Sequence, residues 1–304
     1  MENKLFCDYF DEWIEVYKVG AVRDVTVQKY RMSSKWLRKL APELKCKEVT
    51  RQQYQKIINE YAKEHEKITT RDFHRNLKAA VLDAVDEGYV EKDPTRRVIV
   101  KGKMPSKKRT KYLNQYELHA VLKDLKLGKE PDMDWLILLV AKTGLRFSEA
   151  LGLTPKDFDF EKQTLSVSKT WDYKGNGGFA PTKNKSSVRK IPIDFKTSIQ
   201  FAALIAGMDT DMPIFVKPGK KIYNSTANDR LFKHCRDTGV PEIAMHGLRH
   251  THASLLLFQG VSIASVSKRL GHANMTTTQN VYLHIMQELE SKDTDLVMRA
   301  MSTL

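Results

Sequence analysis

A chain of 304 residues with 41% hydrophobic and 9% aromatic residues is long enough for two ordinary domains, each with its own buried core. The longest unbroken apolar run, Trp135 to Ala141, falls far short of the roughly 20 residues that cross a bilayer, and the opening MENKLFCDYFDEW is acidic and amphipathic, unlike a signal peptide, so a soluble cytoplasmic protein is expected. Lys and Arg number 51 against 37 Asp and Glu, a net charge of +14, which favours a polyanionic partner: nucleic acid, with an anionic membrane surface as the residual alternative, for which a suitable basic amphipathic helix is lacking.

In chain order, Phe6, Tyr9, Phe10, Trp13, Ile14 and Tyr17 recur at the helical period and predict a first helix with one apolar stripe, read as core. Further helices are expected over about 24–40, 50–64 and 69–87, the last stopped at Gly88, so residues 1–100 read as a compact helical module. From Lys101 to Lys111 the run KGKMPSKKRTK carries six basic residues, no acidic one, a Gly and a Pro, which reads as a basic inter-domain linker. Residues 112–304 are mixed: an apolar helix near 131–142, short β-like runs near 157–160, 164–169 and 188–193 around the turn-rich KGNGG at 174–178, then helices at 224–237, from about His246, and from about 284 to 300. The fold class expected is mainly α with a small β-sheet. Cys7, Cys46 and Cys235 show no CxxC spacing and predict neither a disulfide framework nor a cysteine zinc site.

Four segments carry the chemistry: TGLRFSEALGL at 143–153, APTKNKSSVRKIPI at 180–193, HGLRHTHASLLL at 246–257 and LGHANMTTTQNVYLH at 270–284. In this order and spacing they resemble the tyrosine recombinase (phage integrase) family, over the catalytic region from about residue 110 to the end. The N-terminal helices look like that family's core-binding, SAM-like domain. The resemblance makes Arg146 and Arg249 the two phosphate-clamping arginines, Lys183 the lysine of the β-hairpin, His246 and His272 the two histidines, and Tyr282 the nucleophile.

Chemistry explains the residue types. Attack on a phosphodiester builds negative charge on the phosphoryl oxygens, which planar, permanently charged guanidiniums bind through several hydrogen bonds, with His272 adding a further donor. A tyrosine hydroxyl, with a reference pKa of about 10, must shed its proton, and His246 is the nearest acceptor. Lys183 is the candidate acid for the departing 5′ oxygen, with Lys185 a lesser substitute. The resulting 3′-phosphotyrosyl bond keeps a phosphodiester's energy, so no ATP is expected, and no metal or other cofactor either, since the arginines do the work a divalent ion does in nucleases.

Each residue also has an ordinary reading. Arg146 alone reads as a surface ion-pair partner of Glu149, and Tyr282 as a buried aromatic. His250 and His252, with His246 and His272, raise zinc, but no HExxH, cysteine pair or acidic cluster accompanies them, and they are expected as packing or hydrogen-bonding residues. Arg71, Arg75 and Lys78 on the fourth helix, with Lys101, Lys103, Lys107, Lys108, Arg109 and Lys111, are the candidates for DNA-backbone contact, against the plainer reading of a solvated face. Beyond Tyr282, Ile285, Leu289, Leu296, Val297 and Met301 make an irregular apolar face on an expected helix, 284–304, which in the family docks on a neighbouring protomer of a synaptic tetramer; packing on its own domain is the alternative.

The resemblance implies double-stranded recombination sites as substrate, a C-shaped clamp around DNA, a homotetramer, and accessory directionality or DNA-bending proteins. Many members add a small N-terminal domain for arm sites. Here the first residues already open the first helix, so either the chain acts at simple sites, as Xer-like recombinases do, or that domain lies outside this sequence. A non-cutting DNA-binding regulator of the same fold, and a DNA-relaxing enzyme of the type IB topoisomerase kind, remain as alternatives.

Overall fold

The computed structural model describes residues 3–104, 112–276, 278–279 and 301. The chain divides into two compact units, Met1–Lys108 and Arg109–Leu304. No helix among the described residues is long and apolar enough to cross a membrane.

The first unit holds four helices: α1 (Phe6–Tyr17), α2 (Asp24–Leu40), α3 (Arg51–Glu64) and α4 (Lys67–Asp86). Its core joins Phe6, Phe10, Trp13 and Ile14 of α1 to Leu37, Tyr54, Ile58, Phe73, Leu77 and Val81. The stripe on α1 is core as far as Ile14, but Tyr17 is 46% exposed. It lies at the helix end, tilted against the Trp13 ring at 6.1 Å, and its hydroxyl donates to Glu87 Oε1 at 3.0 Å, beside the Tyr9 bond to Glu87 Oε2. Thr50 caps α3 by accepting from the Gln53 amide, and α4 gives way to Gly88, whose φ of 78° suits a residue without Cβ.

The segment after α4 is bonded back onto this unit. Ile99 exchanges two hydrogen bonds of 2.9 Å with the Gln55 side chain, and the Lys103 amide donates to the His65 carbonyl at 2.8 Å. Gly102 therefore serves close approach: a Cβ there would lie 2.2 Å from the Lys67 nitrogen. Of the expected linker 101–111, residues 105–111 lie outside the described residues.

The second unit runs α5 (Gln115–Asp124), α6 (Met133–Thr143), α7 (Phe147–Leu151), β1 (Phe158–Asp159), β2 (Thr164–Val167), β3 (Lys169–Trp171), β4 (Phe179–Pro181), β5 (Arg189–Pro192), α8 (Phe195–Leu204), α9 (Asn224–Asp237), α10 (Met245–Phe258) and α11 (Ile263–Leu270). Strands β1, β2 and β5 form an antiparallel sheet in that order, with Leu165 opposite Ile191, while β3 and β4 make a separate hairpin whose turn holds the KGNGG run. Helix α6 is apolar nearly all round, from Trp135 to Ala141, because it lies in the middle of the unit, with α10, α9 and α7 packed on it. Asp132 caps its start, and Gly144, at φ 69°, ends it. The three cysteines are free and buried.

Candidate active site

An α-helix leaves its last carbonyls without donors of its own. At the end of α11 three consecutive ones, those of Arg269, Leu270 and Gly271, are taken by three arginines. Arg189 of β5 donates Nε–H to the Arg269 carbonyl at 2.6 Å, Arg249 of α10 donates Nη2–H to Leu270 at 2.6 Å, and Arg146, ahead of α7, donates Nη2–H to Gly271 at 2.9 Å. The chain then turns through Gly271, at φ 67°, into His272. One helix end thus gathers guanidiniums from three distant segments beside a histidine.

The TGLR segment is shaped for this. Gly144 is left-handed, a Cβ on it would lie 2.8 Å from the His252 ring, and its carbonyl accepts from Arg249 Nη1 at 2.7 Å. Arg249 is only 2% exposed. Glu149, 1% exposed, takes the Arg146 amide at 3.0 Å and Arg146 Nη1 at 2.5 Å. The ion pair expected of Arg146 therefore exists, but it is shared with Arg189, whose Nη2 and Nη1 reach the same carboxylate at 3.0 and 3.3 Å. Burial opposes the charge on Glu149, yet Arg189 and then Arg146 outweigh it and hold the carboxyl below its usual range. Arg146 also reaches Ser187 Oγ at 3.3 Å. Of its five N–H donors, the Nε–H and one Nη2–H are left by these contacts, and its side chain is 25% exposed, so it can still grip a ligand.

His272 is hydrogen-bonded through Nδ1 to Thr278 Oγ1 at 2.7 Å, and partial burial followed by the Arg249 and Arg146 charges pushes its pKa down to about 4. His246 opens α10 one turn before Arg249, its ring edge-on to His250 at 4.8 Å. Desolvation of the ring and the same two arginine charges lower its pKa too. Both histidines are thus mainly neutral near pH 7, one able to accept a proton and the other to donate an N–H. His252 packs behind the centre: Nδ1–H donates to the Ala141 carbonyl at 2.9 Å, and Nε2 accepts from Arg269 Nε at 2.9 Å. Burial, with Arg269 next, lowers its pKa to about 3, and the two bonds require that neutral tautomer.

Lys183 stands exposed in the connection from β4 to β5, past the hairpin. Its loop is tied to the centre through Ser187, which is buried and bonded to both Asn184 and Arg146. A groove of about 990 Å³ between β5 and the end of α11 opens beside His272. Tyr282 lies outside the described residues, as do Lys107, Lys108, Arg109, Lys111 and, apart from Met301, the expected helix 284–304. Arg71, Arg75 and Lys78 are exposed on α4, Arg75 pairing with Asp72 at 3.1 Å, and Lys101 and Lys103 are exposed further along the first unit.

The structure thus brings Arg146, Arg249 and His272 together, with His246 within reach of the same charges, and adds Arg189, which no motif role assigned, and turns Glu149, expected as a surface ion-pair partner, into a buried carboxylate shared by two arginines. For Arg189 a signal existed. Residues 189 and 191 fall on one face of β5, and with Ile191 buried, a charge in that row must find a partner.

Residues 111–288, more than half of the sequence, match the profile of the phage integrase family. The chain belongs to that family. Among similar proteins is a tyrosine recombinase XerC-like protein of Caldanaerobacter subterraneus subsp. tengcongensis, 29% identical over 72% of this chain and 62% of its own length. The integrase of Staphylococcus phage L54a is 26% identical over 95% of this chain and 91% of its own. The transposase of transposon Tn916 from Enterococcus faecalis is 26% identical over 71% of this chain and 58% of its own length, so the chain spans about three-fifths of two of these three relatives. The fold is that of the Tn1549 transposon integrase, solved in complex with a circular intermediate DNA: TM-score 0.77 at 21% identity, covering 92% of this chain and 95% of that one. Lambda integrase, solved as a dimer on a core site, matches with TM-score 0.67 at 17% identity, covering 90% and 94%.

Proposed function

We propose that this phage integrase family protein is a site-specific tyrosine recombinase that cuts and rejoins duplex DNA at the recombination sites of a mobile element or phage. The observation that carries the reading is the bonding of Arg146 and Arg249 to the adjacent carbonyls of Gly271 and Leu270, immediately before His272. Two guanidiniums held side by side, one still partly open to solvent, suit the two non-bridging oxygens of a phosphodiester.

In the proposed step the Tyr282 oxygen attacks phosphorus while its proton passes to neutral His246. The bond from phosphorus to the 5′ oxygen breaks, and Lys183 protonates that oxygen as it leaves. The product is a 3′-phosphotyrosyl bond and a free 5′-hydroxyl; a second 5′-hydroxyl reverses the step and releases the tyrosine. Arg146, Arg249 and the His272 N–H gain most as charge grows on the phosphoryl oxygens, so they favour the transition state over the bound substrate. No step needs ATP or a metal ion.

The first unit is proposed as a core-site DNA-binding domain, with Arg71, Arg75, Lys78, Lys101, Lys103, Lys107, Lys108, Arg109 and Lys111 on the backbone. Assembly is proposed as a homotetramer on synapsed DNA, with accessory bending or directionality proteins.

The test is a denaturing-gel assay for covalent adducts on nicked suicide duplexes drawn from a randomised site library. Wild type should form an adduct at the 3′ side of the break. Tyr282→Phe should bind equally and form none, and Arg146→Ala or Arg249→Ala should slow adduct formation by about 10²–10³-fold, as removal of one oxyanion donor does. A protein that binds the library and forms no Tyr282-dependent adduct would instead be a DNA-binding regulator of this fold.

A further inference from the structure

We propose that Arg189 is a positioning residue for Arg146, one that lysine cannot replace: by holding Glu149 and the end of α11 together it sets both the orientation and the free charge with which Arg146 meets the phosphate. The inference rests on the strand-transfer reading above.

Four bonds define Arg189, whose side chain is 5% exposed. Its Nε–H goes to the Arg269 carbonyl at 2.6 Å, Nη1 to the Ser187 carbonyl at 2.8 Å and to Glu149 Oε1 at 3.3 Å, and Nη2 to Glu149 Oε2 at 3.0 Å. The two nitrogens facing the carboxylate make a planar fork that an ammonium cannot reproduce. The same guanidinium therefore touches three things that also bear on Arg146: its carboxylate partner Glu149, the residue whose hydroxyl it reaches, Ser187, and the helix end whose last carbonyl it occupies. The strand sets Arg189 rigidly, because Val167 of β2 lies opposite it in register. The packing leaves no slack. A Cβ on Gly271 would lie 2.9 Å from Arg189 Nη1 and 3.0 Å from the Ser186 carbonyl.

Charge gives the second half of the argument. If Glu149 faced Arg146 alone, the carboxylate would largely cancel the guanidinium that must bind phosphate. Arg189, more deeply buried and bonded to both carboxylate oxygens, takes much of that negative charge, and electrostatic attraction is strongest where water is excluded. Arg146 stays in place and keeps cationic character toward solvent.

A double-mutant cycle tests this. Adduct formation is timed under single-turnover conditions, with saturating protein on a nicked suicide duplex, for wild type, Arg189→Lys, Arg146→Lys and the double variant, beside DNA affinity and thermal melting. Arg189→Lys should bind DNA within about twofold of wild type and react about 10- to 100-fold more slowly, the scale of a small misplacement of a catalytic group. In the double variant the rate should be no lower than in Arg146→Lys alone, since the effect of Arg189 passes through Arg146. A wild-type rate for Arg189→Lys, or losses that multiply in the double variant, would overturn the proposal. Should Arg189→Lys not fold, Arg189→Gln with Glu149→Gln removes both buried charges together. A folded double-Gln protein slower than Glu149→Gln alone supports the positioning role, and one reacting as fast as Glu149→Gln alone overturns it. If wild type itself binds duplex and forms no adduct, the strand-transfer reading fails and takes this inference with it; a failure confined to Arg189 leaves a reactive wild type.

Discussion

His252 and His272 are the same residue type, lowered in pKa by burial and by nearby arginines, yet they are placed for different work. His272 turns toward Thr278 beside Arg146 and Arg249, whereas His252 is enclosed between the Ala141 carbonyl and Arg269. For His252 the folded state binds a proton only near pH 3, whereas an unfolded chain binds it near 6.5. Between those values the unfolded state holds more protons, so stability is present above pH 6.5 and falls as pH drops toward 3, by up to about 1.4 kcal/mol per pH unit. Melting followed from pH 7.5 to 5 should show that decline, and His252→Gln, which cannot take the proton, should flatten it; a slope unchanged by the substitution would remove His252 from the account. At this scale the cluster of Arg146, Arg249 and His272 was legible in the sequence by identity and spacing. Glu149 was legible only as the i+3 partner of Arg146, because its burial and its sharing with Arg189 depend on a strand 40 residues away.

Helices follow local periodicity, and the long ones lie where their patterns place them: α2 at Asp24–Leu40 and α9 at Asn224–Asp237 coincide with the expected 24–40 and 224–237. The hairpin strands β3 and β4, three residues each, are too short to show a period of two, and α5 and α11 too short to stand out from the mixed pattern around them. What holds these elements together is not visible locally at all. Asp134, fully buried on α6, accepts from Arg230 at 2.6 and 2.7 Å, from His234 at 3.0 Å and from the Lys126 amide at 2.9 Å, while His234 Nδ1 meets Asp124 at 2.7 Å. Burial works against that charge, but Arg230 and His234 prevail and hold the carboxyl at about 2. Asp134→Ala should therefore unlatch α9 from α6 and the end of α5. Arg230, a third exposed, can turn to water, but His234 cannot, so a cost of about 3 kcal/mol is expected, at the low end for a broken buried pair. That corresponds to a melting point roughly 6–12 °C lower for a unit of this size, read by calorimetry; a shift of a degree or two would show the latch to be incidental.

For the whole molecule, the proposed DNA binding combined with a net charge of +14 spread over two units makes phosphate contacts the expected dominant contribution to affinity. Affinity for duplex DNA should fall with a log–log salt slope of about −0.9 per neutralised phosphate, and neutralising Arg71, Arg75 and Lys78 should flatten it by about 0.9 for each residue that touches the backbone. A slope unaffected by all three would leave them as solvated surface. Composition, helical period and the order of four short motifs were enough to specify a mainly helical chain, a first module of four helices, and the family, because each of these is written in neighbouring residues. The centre itself was not. The Arg146–Gly271 and Arg249–Gly144 bonds span 125 and 105 residues, and they form because α11 ends with bare carbonyls against α10, β5 and the start of α7. Which arginines grip the helix end, which carboxylate is buried among them and which tyrosine of α1 stays in water are settled by packing between distant segments, and only the folded chain brings those segments together.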